Sequence, residues 1–408
     1  MIRIVHLALF AISAILATPC RVGGAEPADL EVERRPPSDR NVIVEADFES
    51  DRDPILVPVK VRNKIYKFML DSGAPEVTYD RSLREYLGAS RGTERRARLF
   101  GSDVVELCEP SDVYLGRLNI RPKSLVACSD LSNLRRHGVD AYGVIGMNVL
   151  QRYVLQLNPD RRQVLLMKSA PASKSAGIPT QRAGVYQAVT ADIERFDDVS
   201  FIIDTGCTGA ADACMPADLF AEFEEDGLFR RIYPGRGFSW PGEGRSRLGV
   251  LNEFWLGKWR HAEILLASHQ SRSGRYLGLR FWSRYIATFD FPNYMIYLKP
   301  SRQYDERADD NPAGFTMRRG WGQTIINALE LDGMGQLAGL RVGDIIRFVD
   351  TIDASKASLF ELRSALRARG KTICLKCERE GKPFVTQLRV PDDDVRRSQE
   401  LPPTGTAR

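Results

Sequence analysis

Between residues 46 and 300 the apolar positions fall in short runs rich in Val, Ile, Tyr and Phe, broken by Gly, Asn and Pro. That pattern predicts β-strands joined by turns. Residues 55–61 and 184–190 are two such runs, and paired runs at 153–158 with 163–167 and at 285–290 with 295–298 close each half. Helical spacing is confined to short pieces at 82–87 and 216–225, and no regular strand–helix alternation appears, which disfavours a parallel α/β sheet. After residue 313 the pattern changes. Strand-like runs lead to a helical stretch at 358–368 with Leu359, Leu362 and Leu366 on one face, and strands at 372–377 and 383–390 follow. The predicted chain is mainly β, with an α+β segment toward its C-terminal end.

Breaks in the pattern divide the 408 residues. Residues 1–25 read as a signal peptide: Arg3 gives a positive start, residues 4–17 are almost wholly apolar, and Gly23 and Ala25 suit the small positions before a cut. The apolar run is short for a membrane span. Export to a periplasmic or extracellular space is therefore expected, with a retained anchor or a lipid on Cys20 as the lesser readings. Residues 26–45 are polar with prolines and read as a tether. Residues 46–170 and 175–300 form two compact segments, the charge-rich 301–312 a linker, 313–392 a third compact segment, and 393–408 a tail. Within the tail, Leu401-Pro402-Pro403-Thr404-Gly405 matches a sortase anchoring pentapeptide, but no apolar span and basic end follow it, so it reads as coincidence.

Composition narrows the function classes. The net charge of +5 is spread along the chain without the dense basic stripe that phosphate neutralisation needs, so nucleic acid is not an expected partner. Six cysteines remain beyond the leader. Cys108 with Cys128 and Cys207 with Cys214 are candidate bridges, the connectivity staying open. Cys374 and Cys377, three apart in a strand-like run, face opposite sides and read as small buried groups. With no second such pair and four scattered histidines, neither a metal site nor a cofactor is expected.

The first two segments repeat one another. Phe68-Met69-Leu70-Asp71-Ser72-Gly73-Ala74 answers Phe201-Ile202-Ile203-Asp204-Thr205-Gly206-Cys207, and Val144-Ile145-Gly146-Met147 answers Tyr276-Leu277-Gly278-Leu279. The aspartates lie 133 positions apart and the glycines Gly146 and Gly278 132 apart, so two anchors keep register to within one residue. Paired aspartates suggest a chemistry. Two facing carboxyls that share one proton supply a base to activate water and an acid to protonate a carbonyl oxygen. The apolar pairs before Asp71 and Asp204 bury the strand ends. Gly73 and Gly206 permit close backbone approach, and the Ser72 and Thr205 hydroxyls can bond across the interface.

These residues resemble the pepsin and retropepsin superfamily of aspartic peptidases, in particular a bacterial retropepsin-like branch duplicated in one chain. The resemblance covers about residues 46–300. It implies two tandem retropepsin-like β-barrel lobes in a pseudo-dimeric aspartic-protease fold, with Asp71 and Asp204 catalytic in one cleft. Hairpin flaps are then expected near Leu99-Phe100-Gly101-Ser102 and Ser239-Trp240-Pro241-Gly242. Ala74-Pro75 departs from the hydroxyl-rich continuation of pepsin-like enzymes. The C-terminal segment, through Ala338-Gly339-Leu340-Arg341-Val342-Gly343-Asp344-Ile345-Ile346, resembles a PDZ domain, which implies that Gly314 and Phe315 end a loop receiving a peptide C-terminus. The expected protein is a monomeric exported endopeptidase acting on extended peptide or unfolded protein, with no membrane contact beyond the leader. A catalytically silent peptide-binding scaffold and pairing of Asp71 with Asp71 of another chain are the alternatives.

Overall fold

The computed structural model describes residues 41–47, 54–137, 139–171, 176–209, 211–239, 242–271, 274–305, 312–320, 322–357 and 359–392. The leader at 1–25, most of the tether, and the tail with its 401–405 pentapeptide lie outside the described residues. The fold is mainly β. No described helix is long and apolar enough to cross a membrane.

Strand formation follows the alternation of the sequence. In Leu56–Val61 the side chains of Val57, Val59 and Val61 are buried while Pro58 and Lys60 face solvent. Pro58 pairs with Lys67 on one side, and the neighbour on the other side meets only Val59–Val61, so the missing N–H costs that ladder nothing. The strand Lys64–Leu70 lies inside its sheet and buries three consecutive residues, Phe68, Met69 and Leu70, as it approaches Asp71.

The two repeats build the same sheet. The first runs, edge to edge, Ser90–Ala97, Ser102–Cys108, Val126–Ser129, Thr78–Asp80, Gly143–Ile145, Lys64–Leu70, Leu56–Val61, Val113–Leu115 and Leu118–Asn119. The second runs Phe229–Ser239, Gly242–Leu251, Ile264–His269, Ala213–Pro216, Tyr276–Leu277, Phe196–Ile203, Tyr186–Ile193, Phe254–Leu256 and Trp259–His261. Each strand has its counterpart at the same rank. A further six-stranded sheet is shared: Val42–Asp47, Gln163–Met167 and Val154–Asn158 from the first repeat meet Tyr285–Asp290, Met295–Pro300 and Ile178–Pro179 from the second. The seam is antiparallel, Val154 opposite Asp290 and Leu157 opposite Ala287. One apolar core runs through both repeats and this sheet, with Trp282, Tyr285, Phe281 and Phe289 among its largest fully buried side chains. Each contributes about 1.5–3 kcal/mol by leaving water.

Two boundaries differ from the composition-based reading. Residues 42–45, assigned to the tether, belong to the strand Val42–Asp47 that pairs with Gln163–Met167. At the start of the 301–312 linker, Ser301 is buried and donates to the Ser283 carbonyl, and Tyr304 packs edge-on to Trp259 and Tyr285. Polar composition there reflects side chains that find partners on the second repeat, not a free linker.

The C-terminal segment has its own core and its own sheet, ordered Phe315–Gly320, Gln323–Leu329, Ile345–Val349, Thr372–Arg379 and Lys382–Arg389. Leu359, Leu362 and Leu366 of the helix Leu359–Leu366 are buried against it. Cys377 is buried and Cys374 half-buried. Arg231, in the strand Phe229–Ser239, pairs with Glu330 at 2.5 Å and ties this segment to the second repeat.

Candidate active site

Each aspartate leaves the end of a strand held in a parallel pair. Lys64–Leu70 runs beside Gly143–Ile145, and Asp71 N–H donates to the Ile145 carbonyl at 3.1 Å. Phe196–Ile203 runs beside Tyr276–Leu277, and Asp204 N–H donates to the Leu277 carbonyl at 3.0 Å. Gly146 and Gly278 follow at once in extended conformation. A Cβ on Gly146 would strike the carbonyls of Glu76 and Ala74, and one on Gly278 the carbonyl of Cys207 at 2.7 Å, so only glycine lets the aspartate loop lie this close.

The two loops interlock. Ser72 N–H donates to the Thr205 hydroxyl at 3.1 Å, and Thr205 N–H donates to the Ser72 hydroxyl at 3.0 Å. The hydroxyls donate onward, Ser72 to the Ile203 carbonyl at 2.8 Å and Thr205 to the Leu70 carbonyl at 3.0 Å. All four bonds cross between the repeats, and both side chains are buried. Gly73 packs on the Asp204 carboxyl and Gly206 on the Asp71 carboxyl, so a methyl group at either glycine would fall inside the opposite carboxyl. Gly73→Ala or Gly206→Ala is expected to cost about 1–3 kcal/mol through overpacking. Denaturant unfolding measures it, and an unchanged midpoint would show that the loops do not interlock.

The carboxyls differ in surroundings. Gly73 N–H donates to Asp71 Oδ1 at 2.8 Å with the Ala74 N–H also acting on that carboxyl, and Asp204 Oδ1 accepts from Gly206 and Cys207 N–H at 2.8 Å, so the two loops match here and the difference lies in the charges nearby. Burial raises the Asp71 pKa above the ordinary aspartate value, against the hydrogen bond it shares with Asp204. Burial and then the neighbouring Asp71 charge raise Asp204 well above that value. Burial opposes two like charges on neighbouring carboxyls, so the two titrate as a pair.

Two hairpin tips meet across the repeats. The hairpin Ser90–Ala97/Ser102–Cys108 turns at Arg98–Gly101, and its Leu99 carbonyl accepts from Gln270 N–H of the second repeat at 3.1 Å. Phe100 is buried against Gly242 and Gly244 of the hairpin Phe229–Ser239/Gly242–Leu251. The two tips named from sequence thus meet each other, although residues 240 and 241 lie outside the described residues. Arg98 pairs with Asp103 at 3.0 Å, and its charge acts on Asp71 in the direction opposite to burial. Tyr186 is pushed up to about 12 by burial and then by the Asp71 charge, so it is a neutral hydroxyl. Tyr276 was legible as part of the second glycine motif, but nothing local marks Tyr186 or Gln270. A cavity beside the first loop is lined by Pro75, Met147 and Tyr186 together with the polar Asn148, Gln151 and Arg182.

The remaining predicted positions lie elsewhere. Gly314 sits at φ +68, where a side chain is strained, and its carbonyl accepts from Glu330 N–H. Phe315 is buried and opens the strand Phe315–Gly320, which is an edge strand of its sheet. Arg363 of the neighbouring helix reaches the Met317 carbonyl on that strand at 3.5 Å. All six described cysteines are free thiols, Cys108 and Cys128 on adjacent strands and buried. Among the described residues no three His, Cys, Asp or Glu side chains are grouped to hold a metal ion. No family model and no curated protein matches this chain.

Proposed function

We propose that the chain is an aspartic endopeptidase of the pepsin and retropepsin kind, two lobes in one chain, with Asp71 and Asp204 as its dyad. The reciprocal packing of each loop glycine on the opposite carboxyl carries this reading, because it holds two buried carboxyls face to face where one proton must serve both. In the proposed reaction a water between the carboxyls gives its proton to the ionised member and attacks the peptide carbonyl. The protonated member donates to the carbonyl oxygen, and proton return to the amide nitrogen releases the amine. The meeting hairpins would lift to admit an extended peptide.

The C-terminal segment is proposed as a PDZ-like module. The edge strand Phe315–Gly320 beside the helix Leu359–Leu366 offers strand addition for a peptide, with Gly314 at its entrance. Export rests on the residue pattern at 1–25 and belongs to the same proposal.

The direct test is cleavage of an unfolded protein across pH 3 to 8, roughly the span over which a coupled carboxyl pair operates, with and without a statine-type peptide. Such a peptide mimics the tetrahedral intermediate. It is expected to stop cleavage and to stabilise the fold by RT ln(1 + [L]/Kd), about 2.7 kcal/mol at a hundredfold excess over Kd, read as a higher melting temperature. Cleavage that ignores the inhibitor would remove the dyad from the mechanism.

A further inference from the structure

Beside Asp204 two thiols stand in contact, the Sγ atoms of Cys207 and Cys214 being 3.5 Å apart. Cys207 is half-buried, and Cys214 is buried in the strand Ala213–Pro216. The Cys207 main chain is part of the site. Its N–H donates to Asp204 Oδ1, its carbonyl accepts from Leu279 N–H at 2.8 Å, and Gly278 packs on both its carbonyl and its sulfur. Cys214 is held from both sides, opposite Ala267 and Tyr276.

The first repeat provides an internal comparison. Ala74 occupies the place of Cys207, its carbonyl accepting from Met147 N–H at 2.9 Å. Thr78 occupies the place of Cys214, opposite Ala127 and Val144. The corresponding positions therefore pack without sulfur in the first repeat, across a loop shorter by three residues, and carry two adjacent thiols in the second.

We propose that Cys207 and Cys214 are a disulfide site that fastens the Asp204 loop to the strand Ala213–Pro216. The co-reactant is a small-molecule disulfide of the glutathione class. Cys207, the more exposed thiol, loses its proton and attacks one sulfur of the oxidant, expelling a thiolate and leaving a mixed disulfide. The Cys214 thiolate then attacks the Cys207 sulfur and expels the second thiolate. One S–S bond forms in the protein as one breaks in the oxidant, and two electrons and two protons pass to the two small thiols. Contact with Cys214 and burial hold the Cys207 thiol well above its ordinary value, so the folded protein exchanges slowly and the bridge forms best during folding. The closed loop is short, which confines its constraint to the Asp204 loop. The bridge stands independently of the peptidase reading.

The experiment refolds the full chain with oxidised and reduced glutathione, or with dithiothreitol, and compares both with Cys207→Ala/Cys214→Thr, which copies Ala74 and Thr78. No Lys or Arg lies between Arg195 and Arg230, so trypsin leaves both cysteines in one peptide. That peptide is expected to be lighter by two hydrogens and closed to alkylation after oxidative refolding. Amide hydrogen exchange at Gly206 and Cys207 is expected to slow by about tenfold relative to the double variant. Full alkylation of both cysteines, or equal exchange in bridged protein and double variant, overturns the proposal. Bridging and slowed exchange without cleavage in any form would uphold the disulfide and count against the peptidase.

Discussion

Asp71→Asn and Asp204→Asn are each expected to abolish turnover and, at the same time, to raise the stability of the protein at neutral pH. The kinetic half follows from the shared proton. An amide in place of either carboxyl cannot pass a proton to or from the reacting water, and loss of an acid–base group lowers kcat by about 10²–10⁴-fold, more where the two act as one unit. The stability half follows from burial. Both carboxyls are raised above the ordinary aspartate value, so the folded state holds the proton more tightly than the unfolded chain does. For such a group the stabilising contribution is full below the unfolded pKa, about 3.9, and is lost as pH rises through the folded pKa. Wild type therefore carries a penalty at pH 7 that asparagine, which does not titrate, removes. Asparagine Oδ1 still accepts from Gly73 or Gly206. The melting temperature of each variant is expected above that of wild type at pH 7, by on the order of 2–4 °C per kcal/mol for a domain of this size. The difference should vanish toward pH 3. Retained cleavage in either variant would sink the shared-dyad mechanism, and a variant equally destabilised at both pH values would show that the carboxyls are not strained by burial.

The dyad was readable because it is local and duplicated. Asp71-Ser72-Gly73 is a weak signal alone, but its repetition at Asp204, in register with Gly146 and Gly278, singles out the two loops that the structure interlocks. Three short helices were readable for the same local reason, appearing as Arg81–Tyr86, Ala217–Glu225 and Leu359–Leu366, whereas the one-turn pieces Ser132–Arg136, Met147–Leu150, Leu279–Trp282 and Met334–Leu337 were not. Joint structures were not. The strands Val154–Asn158 and Tyr285–Asp290 each show a β pattern, yet nothing in either says that its partner lies across the repeat boundary. The strand Val42–Asp47 hid in a charged, proline-bearing region because its pairing partner is more than a hundred residues away. Gln270, which meets the hairpin tip through its backbone, carries no side-chain signature for that contact.

The buried charge cluster of the second repeat shows the same limit and carries the largest expected stability effect. Asp212 is fully buried, 2.5 Å from Arg280 Nη1 and 3.2 Å from Arg284 Nη2, and it also accepts from Leu265 N–H at 2.9 Å. Burial alone would raise its pKa, but the charges of Arg280 and Arg284 outweigh burial and hold it below the ordinary value. The first repeat has Asn148 where the second has Arg280, and its amide oxygen accepts from Val77 N–H instead, so duplication could not reveal the cluster. Asp212→Asn removes the carboxylate that pairs with two buried guanidinium groups and is expected to cost about 3–5 kcal/mol. Glu109→Gln, which breaks the exposed pair with Arg91, is expected to cost less than about 1 kcal/mol. The sign with pH opposes that of the dyad. A depressed carboxylate stabilises above its unfolded pKa and loses that contribution only as pH falls through the lower folded value. The Asp212 penalty should therefore hold steady from pH 7 to about 4 and shrink only in stronger acid. Urea unfolding at pH 7 and pH 5 measures this, and a loss no larger than that of Glu109→Gln would mean the arginines find other partners. Arg280→Met in the Asp212→Asn background should restore part of the loss, with a coupling of about 0.5–3 kcal/mol. The cluster also borders the Asp204 loop, because Gly278 N–H donates to the Asp212 carbonyl and Leu279 N–H to that of Cys207. Stability lost at Asp212 is thus expected to loosen the Asp204 side of the dyad first, leaving the Asp71 side anchored by the parallel pair of its own repeat.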